Sequence, residues 1–380
     1  MANPQTLVLT EDQEDIRRTA RAFVQERAPV EHFRKLRDAH DPVGFSRELW
    51  RALAELGLVG MALPETYGGG GLGLAELGLV LEELGKNLVP TPFLSTVVLG
   101  AGAVLAAGSE AQRREILPRV CTGELLLAFA LDEGTRHAGV AGVKTRLERH
   151  ADGFVLNGEK SFVLDGHIAD SLIVVAREGT GGLTLLVVPR AAAGVTVRRL
   201  DAIDSRNAAR VTFANVVVPI SAVLGEPGAA DAVVERVLDR GAAALAAESF
   251  GSLCEAFERT VAYLKVRKQF GVPIGSFQAL KHRAAHMFCE VELSRSIVLE
   301  ALRALDDATR ADAPLLASVA KARVSDTFVL VASEAIQMHG GIGVTDELDI
   351  GLFYKRAHVA AATLGASTYH RDRFARLRGY

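Results

Sequence analysis

The chain has 380 residues, 49% hydrophobic and 23% charged, which gives it enough apolar material for two or three domains and excludes disorder on a domain scale. A formal charge of -3 and a pI near 6.4 provide no basic field for nucleic acid, although a few arginines can still bind a small anion. The opening MANPQTLVLTEDQED lacks the charged-then-apolar pattern of a signal peptide, and STVVLGAGAVLAAG falls short of the ~20 residues that span a bilayer, so a cytoplasmic protein without membrane insertion is expected.

The N-terminal third reads as helical. Thr10 and Gln13 have capping-box spacing, and Ile16, Ala20, Phe23 and Val24 share the face that follows, up to Pro29. Helical patterns recur at SRELWRALAEL, LAELGLVLEELGK, STVVLGAGAVLAA and EAQRREILPRV. GGGGLG, Gly68 to Gly73, satisfies the dinucleotide expression GxGxxG, but no hydrophobic strand precedes it, so a plain interhelical loop is expected.

Near Leu125 the texture changes to period-two alternation rich in β-branched residues. FVLNGEKSFVL predicts two short strands around Asn157-Gly158, the dipeptide favoured by a type I′ hairpin turn. SLIVVARE, LTLLVVPR, GVTVRRL and ARVTFANVVVP extend the pattern to Pro219. After LGEPGAAD the helical period returns, with Leu245, Ser249, Leu253, Phe257, Val261 and Leu264 in one stripe and two later segments of bundle length. The expected division is a helical domain over 1–125, a β domain over 126–228 and a helical bundle over 229–380.

Cys121, Cys254 and Cys289 lack metal or disulfide spacing and read as buried thiols in a reducing compartment. His137, His167, His339 and His370 likewise show no metal-ligand spacing and read as surface or loop residues. No metal is expected. RKQFG, Arg267 to Gly271, ends the long helix, where an arginine is either a solvated charge favoured by the helix dipole or a guanidinium offered to a phosphate. QMHGGIGV, Gln337 to Val344, follows another apolar helix, and its glycines suit either a helix stop or close backbone approach to a ligand.

Taken with LVGMALPETYGGGG and TFANVVVPISAVLGE, these segments resemble the acyl-CoA dehydrogenase family in order and spacing, over essentially the whole chain. The resemblance implies an α+β fold: an N-terminal all-α domain, a middle β domain (barrel or sandwich) and a C-terminal four-helix bundle. It also implies FAD, an acyl-CoA substrate, an electron-transfer flavoprotein as acceptor, and a tetramer, a dimer of dimers, formed with itself or with a same-family catalytic subunit. Family members remove the α-proton with a glutamate while the β-hydrogen leaves as hydride to flavin N5, which requires carboxylate, thioester and flavin in one dry slot.

In the family each FAD is shared between two subunits. By resemblance, Arg267, Phe270, Gln278, Gln337, Gly340 and Gly341 are the trans donors, all of the expected type. The cis half departs from the pattern. FALDEGTRHAGVAGVKT, beginning at the aromatic Phe129, places Asp132 where a threonine donates to the flavin ring and Ala138 where a serine contacts a phosphate. Phe162-Val163-Leu164 stands where Trp-Ile-Thr is usual and deletes another hydroxyl. A carboxylate beside an electron-rich flavin or a phosphate is repelled rather than anchored.

Counting from Gln337, the family's glutamate falls on Leu364; the alternative glutamate position, at the start of the long helix, falls on Gly241. Asp239 is the substitute candidate, two residues from Gly241 and so turned to another helix face; Glu248, Asp165, Tyr369 and His370 also lie near these points. The pattern resembles the degenerate, glutamate-lacking subunits of heteromeric actinobacterial members that act on bulky acyl-CoAs such as steroid side chains. The expectation is therefore a half-site subunit that supplies trans contacts to FAD. The alternatives are a self-sufficient homotetrameric flavoenzyme with a non-standard base and a non-enzymatic acyl-CoA-binding homologue.

Overall fold

A computed structural model describes residues 8–150, 153–179 and 181–380. In chain order the helices are α1 (Glu11–Arg27), α2 (Val30–Asp38), α3 (Arg47–Glu55), α4 (Leu74–Lys86), α5 (Gly102–Ala107), α6 (Glu110–Cys121), α7 (Asp231–Val266), α8 (Gln278–Asp306), α9 (Ala313–His339), α10 (Ile350–Ala362) and α11 (Ser367–Leu377). The strands are β1 (Leu127–Ala130), β2 (Arg146–His150), β3 (Gly153–Leu164), β4 (Ser171–Arg177), β5 (Leu183–Pro189), β6 (Val195–Leu200), β7 (Ala208–Pro219), β8 (Val223–Leu224), β9 (Lys268–Gln269) and β10 (Val272–Pro273).

The chain divides into two compact units, one of Met1–Lys35, Leu74–Val89 and Ala242–Tyr380, the other of Leu36–Gly73 and Pro90–Gly241. The first is helical. Its α1 opens on the expected capping box, with Thr10 Oγ1 accepting from Gln13 N and Gln13 Oε1 accepting from Thr10 N, both at 3.2 Å. Long helices build the bundle, in which α9 packs against α8, α10 and α11.

Glycines let α4 and α7 cross at backbone contact. A Cβ at Gly85 would stand 2.0 Å from the Glu248 carbonyl oxygen, and one at Gly251 would stand 1.9 Å from that of Glu82. Ser252 Oγ clamps the crossing by donating to Gly85 O at 2.7 Å. Backbone cannot yield here as a flexible side chain would, so Gly251→Ala is expected to destabilise the chain by about 1–3 kcal/mol. Urea unfolding should show a lower midpoint at unchanged m.

The second unit contains an eight-stranded mixed sheet in the order β6-β7-β3-β2-β4-β5-β8, with β1 parallel to β4. Phe154, Leu156, Leu172, Val174, Leu186, Val211, Phe213 and Val216 fill one core beneath it. The GGGGLG segment is a loop that closes on its own backbone: Gly70 N donates to Gly60 O at 3.1 Å, Gly71 N to Leu63 O at 2.9 Å and Leu72 N to Met61 O at 2.9 Å. Donors spent in this way are not turned toward a phosphate.

Three expectations are corrected. Asn157-Gly158 is not a hairpin turn, because β3 runs unbroken from Gly153 to Leu164. Only Gly158 of the two has a positive φ, +149°, and the register shifts between Leu156 and Gly158 opposite β7, where Asn157 Oδ1 accepts from Asn215 N at 2.7 Å. The dipeptide makes a bulge, since apolar alternation continues on both sides and β7 offers an equally long partner. Cys289 is exposed on α8, unlike the buried Cys121 and Cys254. His339 and His370 are buried in helices rather than on the surface.

Candidate functional site

In the helical unit, α7 stops at Val266, and Arg267 N still donates to Tyr263 O at 2.9 Å. β9 and β10 then form a two-residue hairpin whose turn residues, Phe270 (φ 54°) and Gly271 (φ 81°), both take the left-handed conformation that a type I′ turn requires. Glycine adopts that backbone freely, but phenylalanine does so at a cost. The turn holds the Phe270 ring 91% exposed, edge-on to Phe277 with centroids 6.0 Å apart. Arg267 is exposed and makes no ion pair among the described residues, and Gln278 is exposed at the start of α8.

The second predicted segment lies beside the first. Tyr263, one turn before Arg267, stacks on His339 at the end of α9 with ring centroids 4.3 Å apart. The His339 ring also pairs with Ala335 O at 2.7 Å, and burial lowers its pKa. Gly340 turns the chain with φ 65°. Gln337, Gly340 and Gly341 are exposed, and a Cβ built on either glycine would meet nothing within 4 Å. The group therefore presents a free guanidinium, two amides, open backbone and one aromatic ring, a donor set that fits the phosphate and adenosine end of FAD. His339 is not among the predicted site residues, and nothing in its spacing marks it.

In the sheet-bearing unit, Glu133 is the hub of the loop after β1. Its Oε1 accepts from Lys160 Nζ at 2.7 Å, Thr145 N at 2.9 Å and Thr145 Oγ1 at 2.8 Å, and its Oε2 accepts from Lys144 N at 2.8 Å. Lys160 is fully buried and also donates to Leu131 O at 3.0 Å. Burial pushes its ammonium down to about 8, with Glu133 resisting. Burial also works against the Glu133 carboxylate, but Lys160 and Thr145 outweigh it and hold its pKa below the ordinary value.

Asp132 points elsewhere. Its Oδ1 lies 2.8 Å from His137 Nδ1, the imidazole being 3% exposed and the carboxylate 22%. Phe129 and Leu164 are buried, Ala138 is exposed, and Phe162 has a left-handed φ of 53°. Asp165, φ 55°, accepts at Oδ2 from Ser95 Oγ at 2.6 Å; Ser95 lies in the buried π-helical stretch Phe93–Ala101. At Asp132, Ala138 and Leu164 no side chain donates a hydrogen bond, and the carboxylate is already held by a histidine. This donor set does not fit a flavin ring and pyrophosphate.

Leu364 occupies the αL turn between α10 and α11, 8% exposed with φ 54°, followed by Gly365 at φ 101°. Two buried side chains hold the turn. His370 Nε2 pairs with Leu364 O at 2.9 Å, and Lys321 Nζ donates to Gly365 O at 3.0 Å. Lys321 also donates to Ser325 Oγ at 2.9 Å, Ala360 O at 3.1 Å and Ala361 O at 3.3 Å, capping the carbonyl end of α10. Burial pushes it down to about 7, with Asp326 resisting. Gly241 and Asp239 are buried in α7, and Glu248 faces Arg356 Nη1 at 3.6 Å. Among the described residues no group of three or more potential metal ligands gathers, and no helix is long and apolar enough to cross a membrane.

Comparison with known proteins matches residues 10–124 to the acyl-CoA dehydrogenase N-terminal domain, 128–216 to the middle domain and 231–377 to the C-terminal domain. The chain is 35% identical to acyl-CoA dehydrogenase IpdE2 of Mycolicibacterium smegmatis, covering 94% of this chain and 96% of that protein. A solved variant of the Tcur3481-Tcur3483 steroid ACAD superposes with a TM-score of 0.88 at 31% identity, covering 98% of this chain and 99% of the other. The ChsE4-ChsE5 complex from Mycobacterium tuberculosis superposes with a TM-score of 0.90 at 26% identity, covering 99% of both chains.

Proposed function

The chain belongs to the acyl-CoA dehydrogenase family, and on that footing we propose that it is a non-catalytic or half-site subunit of a heteromeric, FAD-dependent acyl-CoA dehydrogenase. In this reading Arg267, Phe270, Gln278, Gln337, Gly340 and Gly341 hold the phosphate and adenosine end of an FAD whose ring sits in a partner of the same family. That partner carries the glutamate and takes the α-proton of the acyl-CoA. When bound, FAD supplies the hydride acceptor, and this chain orients it and helps exclude water. The reading divides the chain into domains over 1–125, 126–228 and 229–380, places it in the cytoplasm, and sends the electrons to an electron-transfer flavoprotein.

The observation that carries it is that both positions for the base lack an acid: Leu364 is a buried leucine in a fixed turn, and Gly241 is a buried glycine. Two of the similar structures are named as pairs of different chains, which supports a heteromer here. The test is flavin per chain, read from absorbance of the protein made alone and then co-expressed with a family member that carries the glutamate. Little flavin alone and about one FAD per two chains in the pair are expected under shared sites.

A second reading keeps the chain self-sufficient, with Asp239 as base, because that carboxylate is buried with 4% exposure in α7. It requires a yellow homotetramer with one FAD per chain in the same measurement. A colourless homo-oligomer that turns over no acyl-CoA ends it.

A further inference from the structure

Resting on the half-site reading, we infer that the Asp132–His137 pair actively closes this chain's own cis half to FAD, beyond the mere loss of donors. The two side chains meet at 2.8 Å, and His137 is buried in the contact with 3% exposure. In sequence His137 lies between Asp132 and Ala138, the two positions at which a flavin ring and a phosphate would have to be met. The loop that carries the pair is fixed from behind: Ser161 N donates to Asp132 O at 2.7 Å, and the neighbouring Glu133 is held by Lys144, Thr145 and Lys160.

Both states of the pair exclude the cofactor. Closed, the imidazole fills the space beside the carboxylate. Open, it leaves an anionic carboxylate facing an anionic pyrophosphate or an electron-rich ring edge. The flavin stoichiometry of an assembly is then limited by the weakness of this subunit's own cis half for FAD.

The test titrates the purified full-length chain with FAD, read by flavin fluorescence quenching and equilibrium dialysis. The chain is compared with two variants whose folding is checked by thermal melts in circular dichroism. Asp132→Ala with His137→Gly removes the pair and adds no donor; Ala138→Ser with Leu164→Thr restores hydroxyls and leaves the pair intact. The pair-removed variant is expected to take up FAD saturably, at least tenfold more tightly than the unaltered chain, a step of about 1.4 kcal/mol, while the hydroxyl-restored variant gains nothing. If that variant does not fold, Asp132→Val with His137→Ala removes both members of the pair and makes the same comparison with the Glu133 anchor untouched. A folded pair-removed variant that binds no better than the unaltered chain, or a hydroxyl-restored variant that binds as well, overturns the inference and leaves the half-site reading standing. One tightly bound FAD per unaltered chain overturns the half-site reading itself.

Discussion

Replacement of Lys321 by alanine is expected to lower the unfolding free energy by about 3–5 kcal/mol, as a buried hydrogen-bonding centre is removed from several acceptors at once. The ammonium has four of them: Ser325 Oγ, the carbonyls of Ala360 and Ala361 at the end of α10, and that of Gly365 in the following turn. Without it these buried carbonyls lose their donor, the stem leaves a cavity, and the turn that holds Leu364 keeps only His370. Denaturant unfolding followed by circular dichroism reads the loss directly.

The same residue gives a pH signature. Its folded pKa, about 7, lies below the ordinary 10.5, and that of Lys160, about 8, does too. Between those values and 10.5 the unfolded chain binds more protons than the folded one, so unfolding free energy rises with pH across that window and is lowest below it. Lys321→Met is expected to flatten the part of the rise that begins near pH 7 and to leave the part that belongs to Lys160.

Arg267→Ala is expected to weaken FAD binding in the co-expressed assembly by about 1.5–3 kcal/mol, the worth of a hydrogen bond to a charged group. The fold should be untouched, because this guanidinium is exposed and supports no ion pair among the described residues. Arg267→Lys should recover part of the loss, since it keeps the charge but not the planar fork. Equilibrium dialysis of FAD against the assembly separates the two variants. Full retention of flavin by the alanine variant would leave the chain a binding or scaffolding homologue that takes no part in the cofactor site.

The order of helices, sheet and bundle is legible in the sequence because each rests on a local period, and because caps such as Thr10 with Gln13 act within a few residues. Asn157-Gly158 misleads because turn propensity is local, whereas the bulge found there is dictated by β7, some fifty residues on. The exposed face at Arg267 and Gln337 is legible as sequence motifs, but its pairing through Tyr263 and His339 is not, since neither residue type marks a stacking partner. The Asp132–His137 pair and the Lys321 cap are hidden for a similar reason: one depends on how a loop folds back over five residues, the other on a lysine reaching across to a different helix.

The Glu133 hub bears on how such a chain could come to exist. The loop that would face a flavin takes its shape from Lys160, Thr145 and Lys144, all within the protein. The side chains at 132 and 138 take no part in that network, so a change of donor there leaves the anchor of the loop in place. Under the half-site reading, a duplicated copy that lost donors there would keep its fold and remain a sound partner for the other. Reversal is harder, because each restored donor is worth little until the rest are back.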